Sequence, residues 1–175
     1  MTACIDLPPE WQLKQLVQRY LATVPHKAGE TVQLGWFIFR IVESSIPPEV
    51  ESLDFRKMAS FTTDFSAAEG VRSLQLDILN VNGVSQEPCT LCQSALVSRS
   101  YIPGREDAFL ERQSPCGGSD SGWYVGVLAE ENDLDDANSF ELRSLYELSI
   151  ADDRMTPYWL LPVGKIVTLA TGDVT

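Results

Sequence analysis

The chain holds a single histidine in 175 residues, and that scarcity narrows its chemistry. A histidine-based hydrolase or nuclease would have to use His26, which sits in a Pro-His-Lys-Ala-Gly turn with no surrounding motif. Positive charge is also short. Lys and Arg number 13 against 25 Asp and Glu, a net charge of −12. A chain of that sign lacks the basic face that nucleic acid and anionic membranes require, which argues against both as direct partners. No stretch approaches the roughly 18 apolar residues of a membrane span, and Met1 to Pro9 lack the basic and apolar regions of an export signal. The expected location is therefore cytoplasmic. Cysteine is sparse as well. Without an export signal, Cys4, Cys89, Cys92 and Cys116 read as reduced thiols rather than a disulfide framework. Neither G-x-x-x-x-G-K-[ST] nor G-x-G-x-x-G occurs, so the common phosphate cradles are missing.

What is present is an ordinary globular composition, 44% apolar and 22% charged, enough to bury a core. One compact unit is expected, with room for two lobes, 1–88 and 89–175. Their joint is the Asn80 to Pro88 stretch, where Asn, Gly, Ser, Gln and Pro cluster. The first lobe carries four acidic residues in excess and the second eight. Pro8-Pro9-Glu10 should open a helix to about Val24, with Leu13, Leu16, Val17, Tyr20, Leu21 and Val24 forming one apolar stripe. Thr31 to Glu43 reads as a central strand buried on both faces, and Phe55 to Thr62 as a shorter one. Ser66 and Glu69 suggest a capping box before a helix bearing Val71, Leu74, Ile78 and Leu79. In the second half, strands are expected at 95–101, 109–113, 123–129 and 165–170. A helix over about 139–148 would be capped from Asn138 and Glu141. The fold class is α+β, with helices covering a twisted, largely antiparallel sheet.

Three constellations invite an enzymatic reading. Cys89-Thr90-Leu91-Cys92 is a C-x-x-C, but Cys4, Cys116 and His26 form no second close pair for zinc, and a strand rather than a helix is expected after it. A metal- or thiol-dependent enzyme using Cys89 and Cys92 is the alternative this motif keeps open. Gly118-Ser119-Asp120-Ser121-Gly122 resembles a serine-nucleophile loop yet reads better as a hairpin turn that lets Trp123 enter its strand. The adjacent carboxylates Glu106-Asp107, Glu130-Glu131, Asp135-Asp136 and Asp152-Asp153 point apart rather than converging in a cleft. Glu131, Asp133 and Asp135 alternate as calcium ligands would, without the glycine and closing glutamate of an EF-hand loop. No catalytic set, metal or cofactor is expected.

The densest signal is Glu130-Glu131-Asn132-Asp133-Leu134-Asp135-Asp136, five carboxylates in seven residues with no base beside them. Their mutual repulsion is relieved by a positively charged partner. Before it lie Ser121-Gly122-Trp123-Tyr124 and Gly126. After it come Asn138, the Leu142-Leu145-Leu148 spacing, Asp152-Asp153, Pro157 and Leu160-Leu161-Pro162-Val163-Gly164. Upstream are Leu96-Val97-Ser98 and Phe109-Leu110-Glu111-Arg112. This ordered set, over about residues 89–175, resembles the immunity protein 33 family, small proteins encoded beside secreted bacterial toxins that they neutralise by binding.

The resemblance implies a toxin-binding role without enzymatic activity and carries over no site residues. Charge supplies the candidates: Glu130, Glu131, Asp133, Asp135 and Asp136 would meet a basic toxin, with Trp123 and Tyr124 as aromatic anchors nearby. Trp123 reads first as a core residue by its place in the strand. A nuclease is the expected target, because nucleases are basic where they hold phosphates. A lipase, a peptidoglycan-cleaving enzyme or a NAD-consuming enzyme fits the same role. A homodimer is compatible with the sequence, and a passive scaffold or regulatory ligand-binding domain is the remaining alternative.

Overall fold

A computed structural model describes residues 12–128 and 136–175. The fold is α+β, with its strands divided between two sheets. By internal contacts the chain forms two compact units, Met1–Leu76 and Asp77–Thr175.

In the first unit, helix α1 (Leu13–Leu21) buries Leu13, Leu16, Val17 and Leu21 and exposes the polar positions between them. The Pro8-Pro9 start proposed for it lies outside the described residues. The Thr31 to Glu43 stretch is a hairpin rather than one long strand. β1 (Thr31–Leu34) and β2 (Phe37–Glu43) pair antiparallel around Gly35-Trp36, with Leu34 opposite Phe37. Gly35, at φ +57°, occupies the first central position of this two-residue turn, where glycine is favoured. Its apolar run on both alternations misled, because folding the run back leaves Phe37, Phe39 and Ile41 buried and the intervening side chains half-exposed.

The sheet continues with β3 (Glu49–Leu53), unexpected behind Pro47-Pro48, and ends at the two-residue β4 (Phe61–Thr62) in the order β1-β2-β3-β4. Phe39 stacks on Phe65 at 6.0 Å. Helix α2 (Ser66–Asn82) starts where its Ser-x-x-Glu signal placed it, but the cap differs. Asp64 accepts the Ser66 N–H at 2.9 Å, and the Glu69 carboxylate accepts the N–H of Leu13 at the start of α1. Glu69 thereby ties two helices of this unit together instead of closing a box on its own helix.

The second unit is built on a six-stranded sheet in the order β10-β9-β6-β7-β5-β8: β5 (Ser94–Ser98), β6 (Ala108–Arg112), β7 (Asp120–Val127), β8 (Phe140–Ser144), β9 (Ile166–Thr168) and β10 (Asp173–Val174). All neighbours are antiparallel except β5 and β7, which run parallel. The helix expected over 139–148 is in fact a strand followed by a helix. β8 takes residues 140–144, and α3 (Leu145–Ala151) begins at a true capping box in which Ser144 and Glu147 bond each other's backbone N–H. Sequence spacing had fixed on Asn138 and Glu141. Instead, the Asp136 side chain caps a single 3-10 turn, 137–139, by accepting the Asn138 N–H.

Residues directly opposite one another in a sheet share a face. One face of this sheet carries Ala95, Val97, Leu110, Trp123, Val125 and Val167, all at most 1% exposed. Leu145, Leu148, Met155 and Trp159, from α3 and the 3-10 segment Asp153–Tyr158 and its end, are completely buried as well and complete this core.

Candidate functional site

The Ser-Gly-Trp entry of β7 is a structural device. Ser121 is fully buried: its Oγ donates to Ser94 O at 2.8 Å and accepts the Trp123 N–H at 3.1 Å. Gly122 sits at φ +77°, and a Cβ there would lie 2.2 Å from Gln113 O, so only glycine fits. Asp120 accepts the N–H groups of Cys116 at 2.6 Å and Gly122 at 2.8 Å. Burial pushes its carboxyl up, but these two bonds outweigh burial and hold it below its ordinary value. The loop that resembled a serine-nucleophile site thus spends its hydroxyl and its carboxylate on holding β7 against its neighbours.

Trp123 lies in the core at 1% exposure. Its ring meets Trp159 edge to face at 5.4 Å, and its Nε1 donates to Trp159 O at 3.1 Å. It presents no surface to a partner. The Cys89 thiol is buried and donates to the same Trp159 oxygen at 2.9 Å, whereas Cys92 is exposed. No group of three or more His, Cys, Asp or Glu poised for a metal ion occurs among the described residues. His26 is half-buried in its turn, with Nδ1 3.0 Å from Val24 O.

Tyr124 points the other way, to the outer face of the sheet. Reading across the register from the β8 edge, Leu142, Leu96, Tyr124, Glu111 and Ile166 form one row. Leu142 is 71% exposed and Leu96 41%. Behind them Phe109 and Phe140 meet the Tyr124 ring edge to face at 5.7 and 6.1 Å. Gly126 makes room for this cluster, since a Cβ on it would stand 2.5 Å from the Phe109 ring. The result is an aromatic and aliphatic patch in which Leu142, Leu96 and Ile166 are exposed. The acidic segment follows β7 and precedes β8 in the chain. Glu130, Glu131, Asp133 and Asp135 fall outside the described residues; the flanking Leu128 and Asp136 are both exposed.

A second cluster had no recognised signal beyond the Asp152-Asp153 pair. Asp152, 6% exposed, accepts Tyr101 Oη and Gly104 N–H at 2.9 Å each, and Arg154 Nε and Nη2 at 2.8 and 2.6 Å. Arg154 also donates to Arg105 O, and Arg105 to Ser100 O and the Asp107 carboxylate. Burial pushes the Asp152 carboxyl up, but the bonds from Arg154, Gly104 and Tyr101 outweigh it and bring it down to about 2. Tyr101 is pushed up by burial and by Asp152. These bonds pin the 99–107 loop to the end of α3.

No family model, curated protein or solved structure matches the chain. No helix among the described residues is long and apolar enough to cross a membrane.

Proposed function

We propose that this protein is an immunity protein that binds and neutralises a cognate secreted antibacterial toxin, using the outer face of the second sheet and the acidic segment Glu130 to Asp136. The observation that carries the reading is the row of Leu142, Leu96 and Tyr124, its two leucines exposed, in a chain whose connection from β7 to β8 holds five carboxylates in seven residues. Exposed apolar patches of this kind mark protein-protein interfaces. The negative charge of the 130–136 segment favours a basic partner and speeds its approach, which supports a nuclease as the target. The family resemblance over 89–175 supports the same role, and the cytoplasm is where such a nuclease would be met.

The Ser121, Asp120 and Asp152 side chains, each engaged in structural bonds, favour binding over catalysis. The test is co-expression with the toxin encoded by the adjacent gene. Wild-type protein should restore growth and co-purify with the toxin, and Leu96→Arg should lose both while retaining its circular dichroism spectrum. Failure of the wild type to protect or bind would overturn the proposal.

A further inference from the structure

The β8 edge carries a separate property. β8 is the last strand of its sheet, and β5 is its only partner among the described residues. Leu145 N–H bonds Gln93 O and Arg99 N–H bonds Ser139 O. The two bonds fix the phase of the ladder. Positions 141 and 143 turn their main-chain groups toward β5, and positions 140, 142 and 144 turn theirs outward. Two of the outward N–H groups are already used, Phe140 on Ala137 O and Ser144 on the Glu147 carboxylate. Among the described residues of β8, Leu142 alone presents both an N–H and a C=O to the edge away from β5, and its side chain is 71% exposed.

On either side of it stand Glu141 and Arg143, both on the opposite face of the strand. Their carboxylate and guanidinium approach only to 4.0 Å, and Glu141 reaches Arg99 only at 3.8 Å. Edges guarded against pairing carry charged side chains, lysine above all, and such a guard repels a second copy only where the charges that meet are alike. Here the order is Glu, Leu, Arg. Run antiparallel against itself about Leu142, that order sets every Glu141 opposite an Arg143 and every leucine opposite a leucine.

We propose that β8 is the dimerisation edge of this protein, pairing antiparallel with β8 of a second copy about a two-fold axis at Leu142. The two Leu142 residues exchange their N–H and C=O groups, and Glu141 and Arg143 of each copy face Arg143 and Glu141 of the other. The six-stranded sheet becomes twelve-stranded, with Leu96 and Leu142 of both copies in one strip on its outer face. Only one residue per copy contributes a complete main-chain pair, so the association is weak and reversible.

Sedimentation equilibrium of the full chain, from micromolar to millimolar protein, tests this at about 0.15 M salt, where the Debye length of about 8 Å screens the net charge of −12. Wild type should pass reversibly from monomer to dimer. Glu141→Arg and Arg143→Glu each turn two attractive pairs into repulsive ones and should raise the dissociation constant about tenfold or more. Mixed in equal amounts, the two variants should regain dimers at about the wild-type constant, a rescue that loss of folding could not give. Leu142→Pro, which removes an N–H facing away from β5, should be monomeric with an unchanged circular dichroism spectrum. A wild type that stays monomeric at millimolar concentration, or single variants that dimerise as the wild type does, would overturn the proposal.

Discussion

Replacing Asp152 by Asn keeps the shape of the side chain and removes its charge, which isolates what that charge holds together. Four donors converge on the carboxylate, from Tyr101, Gly104 and twice from Arg154. A hydrogen bond to a buried charged group contributes about 1.5–3 kcal/mol, but the Arg154 side chain is 32% exposed and its share is cut by solvent screening. An amide oxygen can still accept from some of these donors, so the expected loss for Asp152→Asn is about 2 kcal/mol. In a chain of this size that lowers the melting temperature by about 4–8 °C.

The effect should depend on pH with a definite sign. The folded carboxyl titrates at about 2, below its ordinary value of 3.8, so its contribution is fully present above that ordinary value. It is lost as pH falls from about 4 through 2. Urea unfolding of both proteins at pH 7 and at about pH 2.5 measures the difference. A gap below about 0.5 kcal/mol at pH 7, or one of equal size at both pH values, would refute this account of the cluster.

Gly122→Ala should cost about 3 kcal/mol or prevent folding, because its Cβ would stand 2.2 Å from a backbone oxygen at a positive φ; urea unfolding or soluble yield checks it. Arg112 is 2% exposed with its guanidinium 5.3 Å from the Trp123 ring, and its Nε and Nη1 have no acceptor among the described residues. Arg112→Met should therefore leave stability within about 1 kcal/mol of wild type or raise it, as read from the denaturation midpoint. In native protein the exposed Cys92 and Cys116 should react with a thiol reagent at once, while Cys89 should react only on unfolding. Equal labelling rates at all three would contradict the packing of Cys89.

The fold class was legible because it follows from periodicity: the α1 stripe survives in the structure nearly as read, and a strand stands where the Trp123 run was read as one. The hairpin at Gly35 and the strand-helix junction at Ser144 were not. In each, an apolar spacing fits two geometries, and one turn or cap residue decides between them. Ser121-Gly122-Trp123 was visible as a motif, but its meaning is a close approach to Gln113 O, a contact nine residues away that no local pattern encodes. The Asp152 cluster joins residues 48 to 51 positions apart and was out of reach for the same reason. The outer row was hidden differently: only the register sets Leu142 opposite Leu96 and Leu96 opposite Tyr124 on one face.

The most direct test of toxin capture through the acidic segment is the association rate with the purified toxin, at low and at physiological salt, for wild type and for Asp133→Asn/Asp135→Asn/Asp136→Asn. The account predicts slower association for the variant and a flatter salt dependence, with the fold intact. An unchanged on-rate at low salt would contradict it.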